Sequence, residues 1–168
     1  MPGIQSRIAW RATPAGPYEK PAWEFGGSGH YSRERYSFGS TPSWAGAFDF
    51  DVTRGRFGTG GEFFTGRNVD AFGGSAGQLA RSRGGFVEGR FAATRRLSVN
   101  GGYGTDRLFE LTRFPAALSS NSSGFANLIY QFTPELRTAF EYRRLETNAV
   151  ATGTSINHHL NLTVAYDF

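Results

Sequence analysis

The chain lacks cysteine, has a single lysine and a single methionine, and contains no long hydrophobic run. Without cysteine it can form neither disulfides nor thiolate metal sites. A membrane-spanning helix needs about 18 or more consecutive apolar residues, and no stretch here has that length. At 168 residues and a mean hydropathy of −0.40, the chain is one domain or a piece of one.

The positive charge of the chain comes almost entirely from arginine. Lys20 is the only lysine among 18 basic residues, and the formal net charge is +4. A basic protein can bind nucleic acid when its cations gather on one surface. Here the arginines alternate with carboxylates along the sequence, so we predict no nucleic-acid partner.

The last ten residues alternate strictly between apolar and polar side chains. Successive side chains of a strand point to opposite faces, so this pattern predicts one apolar and one polar face. An alternation that ends on an aromatic ring is typical of the last strand of a bacterial outer-membrane β-barrel, whose apolar face meets lipid. The apolar positions are Leu160, Leu162, Val164, Tyr166 and Phe168.

The same period of two recurs along the chain between turn-forming segments. We predict about eight strands from it, at 22–38, 44–53, 57–66, 84–94, 97–106, 124–132, 136–146 and 156–168. Three connections are tight, at 53–56, 95–96 and 133–135, and they alternate with longer ones at 39–43, 67–83, 107–123 and 147–155. Outer-membrane barrels have short periplasmic turns and long outward loops. The pattern therefore predicts an all-β, antiparallel up-and-down transmembrane β-barrel with Phe168 at its periplasmic end.

Residues 1–20 fit this barrel less directly than residues 21–168, which we assign to the β-barrel domain. Ile4, Ser6, Ile8 and Trp10 alternate with polar residues, so 1–20 is either an N-terminal extension or an extra strand. The N-terminus has no secretory signal peptide. An exported barrel needs one, so the chain is either a mature form or a fragment of a larger barrel.

Three motifs together resemble bacterial outer-membrane porin-like proteins. They are Gly61–Asn68 followed by Ala71–Gly74, then Leu97–Asp106, and the hairpin from Tyr130 through Tyr142. The resemblance covers roughly residues 20–168, and the chain resembles the C-terminal portion of those longer proteins. It implies that the terminal strand, Leu160 to Phe168, is recognised by the barrel-assembly machinery. It also implies outer-membrane lipid and lipopolysaccharide as surroundings.

The polar faces of the predicted strands supply a candidate lumen. Its residues mix both signs of charge, which in a wide barrel would favour small polar solutes. An eight-stranded barrel has an interior only wide enough for side chains to fill, so there the same residues would form an ion-pair network and conduct nothing. The candidates are Glu24, His30, Asp49, Asp51, Glu62, Glu88, Arg90, Asn100, Asn127, Gln131, Arg137, Glu141, Arg143, His159, Asn161 and Asp167.

The sequence gives no support for catalysis, a cofactor or a metal site. His158 and His159 are adjacent in a strand and point to opposite faces, so they cannot share a metal. No base–nucleophile pair can be argued from the positions of the three histidines. We therefore expect a non-enzymatic, porin-like outer-membrane channel for passive diffusion of small polar solutes. The alternative is a non-conducting small barrel that serves as a membrane anchor or interaction module through loops 67–83 and 107–123. The oligomeric state stays open, a homo-oligomer included.

Overall fold

The computed structural model describes residues 3–12, 22–36, 39–69, 80–109 and 118–167. Phe168 and the segments 13–21, 70–79 and 110–117 lie outside the described residues. Residues 81–83, 107–109 and 118–123, which were predicted to belong to the loops 67–83 and 107–123, are instead parts of strands. Within the described ranges the chain forms nine strands and no helix. None of these residues belongs to a helix long and apolar enough to cross a membrane.

The nine strands form one antiparallel sheet in which each strand pairs with its neighbours in sequence. This is the up-and-down order predicted from the alternating segments. The strands are β1 (Ile4–Arg11), β2 (Trp23–Tyr36), β3 (Gly39–Arg54), β4 (Phe57–Arg67), β5 (Arg81–Ala92), β6 (Leu97–Phe109), β7 (Leu118–Gln131), β8 (Leu136–Ala149) and β9 (Gly153–Tyr166).

The sheet is not closed in the part of the chain that the structure describes. β1 and β9 each pair on one side only. Because nine is an odd number of antiparallel strands, β1 and β9 run in the same direction, and an antiparallel ladder cannot join them directly. The described strands therefore do not form the filled eight-stranded barrel that the sequence left open, and an open nine-stranded sheet is consistent with part of a larger barrel.

Two of the predicted long connections are wrong. Residues 39–43 form the first part of β3, where Pro42 lies opposite Arg33 of β2. Residues 147–149 and 153–155 likewise pair with each other, and only 150–152 form the turn between β8 and β9. The strict alternation of short and long connections therefore fails. Residues 12–22 separate β1 from β2 at the end of the sheet that also carries the tight turns.

Tertiary contacts explain why the polar, Pro-containing segment 39–43 is a strand. The Ser43 hydroxyl donates to the Asn68 carbonyl at 2.7 Å, and the Asn68 side-chain amide donates to the Pro42 carbonyl at 2.8 Å. Both Ser43 and Asn68 are fully buried. These bonds hold the strand to the segment that follows β4, a partner that local sequence cannot indicate.

The two faces of the sheet differ in character, as the alternation predicts. Residues that are opposite in an antiparallel ladder lie on the same face, so the pairing assigns every strand position to a face. One face carries large apolar side chains that remain exposed, for example Leu162 at 74%, Tyr103 at 58% and Phe63 at 51%. A water-soluble domain would bury such a surface. We call this the apolar face and the opposite one the polar face.

Candidate functional site: the polar face

Every described residue predicted for the lumen lies on the polar face. The register places Glu24 beside Asp51, Asp49 beside Glu62, and Arg90 beside Asn100. Asn127 lies beside Glu141, and Arg143 beside His159. Gln131 lies beside Arg137, and Asn161 lies beside Glu141. His30 lies opposite Gln5, and Glu88 lies opposite Gly102. Asp167 shares the face of Ala165, because it follows Ala165 by two residues.

An ion-pair network joins β1, β2 and β3. The Arg7 guanidinium donates to both carboxylate oxygens of Asp49, with Nη2–Oδ1 at 2.5 Å and Nε–Oδ2 at 3.2 Å. It also contacts Glu24 at 2.7 Å, and Arg11 contacts the other Glu24 oxygen at 2.9 Å. Arg7 and Arg11 were not among the predicted lumen residues. Their alternation with Ile8 and Trp10 was the signal that could have identified them.

Gly26 allows the Arg7–Asp49 pair to cross the intervening strand. A Cβ atom at this position would lie 2.6 Å from Arg7 Nη2 and 2.6 Å from Asp49 Oδ2. Real Cβ atoms do not make such contacts, so with any other residue here Arg7 and Asp49 would have to shift from this geometry.

The same arrangement recurs two strands further on. Arg90 of β5 contacts Asp51 of β3 at 2.5 Å, and it also contacts Glu88 at 3.2 Å. Gly58 and Gly60 of β4 lie beneath this pair, where a Cβ would come within 3.0 Å of Arg90 Nε and 3.2 Å of Asp51 Oδ2, respectively. Glycines on the polar face thus let charges on β1 and β3, and on β3 and β5, pair across the single strand between them.

A third network, more amide than ionic, covers β6 to β9. Asn100 donates to Asn127 at 2.7 Å, and Asn161 donates to Glu141 at 3.3 Å. Arg143 pairs with Glu141 at 3.0 Å. At the end of the sheet, Arg137 lies 3.7 Å from Asp167. Opposed charges and amides therefore continue across the sheet.

Glu62 differs from the other carboxylates of this face. It forms no ion pair within the described residues, and it is half-buried. Two cavities on the polar face, of about 540 and 360 Å³, meet at Glu62 and Arg7. Across β1 to β5, the carboxylates Glu24, Asp49, Asp51, Glu62 and Glu88 outnumber the arginines Arg7, Arg11 and Arg90. This part of the polar face is therefore acidic, although the chain as a whole is basic.

The described residues contain no group of three or more His, Asp or Glu side chains that could hold a metal ion. The adjacent histidines His158 and His159 lie on opposite faces of β9. The Tyr142 hydroxyl and His158 Nδ1 lie 2.7 Å apart on the apolar face, whereas His159 lies on the polar face opposite Arg143.

The whole chain matches part of a known outer-membrane channel. The crystal structure of the outer membrane channel DcaP of Acinetobacter baumannii superposes with a TM-score of 0.82 and 12% sequence identity, over 100% of this chain and 52% of that chain. The two proteins therefore share an antiparallel, up-and-down β-barrel fold over the length of this chain. This chain spans about half the length of the channel it matches. No protein-family model matches the sequence, and no curated protein is detectably similar to it.

Proposed function

We propose that this chain forms part of the wall of an outer-membrane channel through which small polar solutes diffuse passively. The observation that carries the proposal is that charged and apolar side chains lie on opposite faces of the sheet. The described candidates for the lumen all lie on one face, whereas the opposite face exposes aromatic and aliphatic side chains suited to lipid. The likeness in fold to an outer-membrane channel supports it.

The polar face would act as the lumen wall. The ion pairs of Arg7 and Arg90 would hold these side chains against the wall and keep them out of the path of the solute. A charged wall selects solutes by sign and by hydrogen bonding. Because carboxylates are in excess across β1 to β5, this part of the wall favours cations over anions.

The surroundings of the channel follow from the same proposal. The apolar face would contact outer-membrane lipid. The end of the sheet that faces outward would contact lipopolysaccharide. β9 carries Leu160, Leu162, Val164 and Tyr166 on the apolar face, so it would serve as the strand recognised by the barrel-assembly machinery.

Single-channel recording tests the proposal. The full-length protein, refolded in detergent and shown to be rich in β-strand by circular dichroism, is added to a planar bilayer in 1 M KCl, roughly where the Debye length falls to 3 Å and surface charge is screened. We expect discrete conductance steps. A folded, inserted and silent protein would contradict the channel and support the non-conducting membrane anchor instead.

A further inference from the structure

Arginines on the apolar face gather at one end of the sheet. Arg83 of β5 lies directly opposite Arg107 of β6, and Arg67 of β4 lies directly opposite Arg81 of β5. For Arg83 and Arg107, this juxtaposition of like charges destabilises the sheet. The acidic residues of these strands, Glu62, Glu88 and Asp106, all lie on the polar face.

Arg83 and Arg107 are exposed, and neither forms an ion pair in the part of the chain that the structure describes. The Arg83 guanidinium lies 4.8 Å from the centre of the Phe109 ring, which leaves its N–H groups available. The juxtaposition therefore has an energetic cost that a bound anion would remove.

An apolar groove lies beside this pair on the same face. Its volume is about 1020 Å³, and both Arg83 and Arg107 line it. Glycines form part of its floor because they leave the strands without side chains, whereas aromatic and aliphatic residues form its walls. Floor and wall residues include Gly29, Gly46, Phe48, Phe63, Val87 and Tyr103.

The arginines lie at one end of the apolar face, beside the aromatic ring of Phe109. Along β5, the apolar-face positions run in the order Phe91, Gly89, Val87, Gly85, Arg83 and Arg81. Along β6 they run from Val99 and Tyr103 through Thr105 and Arg107 to Phe109. In a membrane this is the level at which hydrocarbon gives way to head groups.

We propose that Arg83, Arg107 and the groove beside them bind a phosphorylated glycolipid of the outer leaflet. The two guanidiniums would donate to its phosphate, for which arginine has a matching fork of N–H groups, and its acyl chains would occupy the groove. This lipid site rests on the proposed function in one respect: the apolar face must lie in an outer membrane.

Binding of lipid A, the bis-phosphorylated diglucosamine lipid, to the detergent-solubilised full-length protein tests this site by native mass spectrometry. We expect Arg83→Gln combined with Arg107→Gln to weaken binding at least about tenfold, because two charge-assisted hydrogen-bond donors are lost. The matched control removes the same charge at the other end of the sheet, with Arg54→Gln and Arg95→Gln, and should bind as the unchanged protein does.

A second pair of variants tests the groove. A Cβ added to Gly46 meets no atom within 4 Å, so Gly46→Val fits the strand and fills the groove. Gly89 lies on the same face outside the groove, where the nearest atom to an added Cβ is 4.0 Å away. Gly46→Val should weaken lipid A binding severalfold, and Gly89→Val should not.

Equal binding by the arginine double variant and the unchanged protein would overturn the proposal, and so would equal binding of lipid A without its phosphates. Conductance recorded on the same preparation separates the two proposals. A conducting protein without this lipid preference overturns only the lipid site. A silent protein that binds lipid A through Arg83 and Arg107 overturns only the channel.

Discussion

Arg7 and Asp49, on strands that are not neighbours, form a bidentate ion pair over Gly26. The guanidinium reaches across β2 with contacts of 2.5 and 3.2 Å to the two carboxylate oxygens. The pair ties the edge strand β1 to β3, in addition to the β1–β2 ladder, and holds both side chains flat along the polar face.

Replacing Gly26 with alanine should separate this pair. The new Cβ would come within 2.6 Å of the guanidinium and the carboxylate, so both side chains must move. We expect a loss of about 1 kcal/mol in the free energy of unfolding, a small value because Arg7 is partly exposed. Urea unfolding in detergent micelles, followed by tryptophan fluorescence, measures it.

Gly27→Ala is the matched control, because a Cβ there meets no atom within 4 Å. It should leave stability unchanged or raise it slightly. In an Arg7→Gln background, Gly26→Ala should cost less than in the unchanged protein. An equal cost in both backgrounds would show that the ion pair is not what Gly26 accommodates.

Glu62→Gln should reduce the preference of the channel for cations. Glu62 forms no ion pair among the described residues and borders both cavities of the polar face, so its charge acts directly on a passing ion. The reversal potential in a tenfold KCl gradient should shift toward the chloride equilibrium potential. Glu146→Gln removes the same charge on the apolar face, where Glu146 pairs with Arg144, and should leave the reversal potential unchanged.

Arg90→Gln should shift the reversal potential in the opposite direction. Arg90 lies between Asp51 and Glu88 and compensates their charges, with contacts of 2.5 and 3.2 Å. Its removal leaves two carboxylates exposed to the solute path, so cation preference should rise. A shift of the same sign as that of Glu62→Gln would mean that the polar face does not line the conducting path.

Arginine substitutions at two adjacent aliphatic positions of β7 test the assignment of the faces. Leu128 lies on the apolar face opposite Phe140, and Ile129 lies on the polar face opposite Ala139. Leu128→Arg should destabilise the bilayer-inserted protein by about 2–4 kcal/mol, because a charge then faces hydrocarbon. Ile129→Arg should cost much less. Equilibrium refolding into lipid vesicles measures both, and equal costs would contradict the assignment of the faces.

The alternation of side chains was sufficient to predict the all-β fold and the two faces. Leu160 and His159 are on opposite sides of β9 because the side chains of a strand have a period of two, whatever their partners are. The pattern is local, and the strand register places the lumen candidates from Glu24 to Asp167 on one face. Their role as a lumen remains a prediction.

Strand ends, pairing partners and closure depend on contacts between distant parts of the chain. Residues 39–43 have the composition of a loop, yet they pair with 32–36 of β2, and buried hydrogen bonds that Pro42 and Ser43 share with Asn68 hold them in place. Arg7 meets Asp49 only because the register of three strands brings them together across Gly26. Closure into a barrel likewise depends on the whole sheet, because an odd number of antiparallel strands leaves β1 and β9 running in the same direction. The sequence by itself determined which side chains of a strand share a face, because that depends only on backbone geometry. The tertiary structure decided which of them touch and which edges of the described sheet are unpaired, because those depend on strand register.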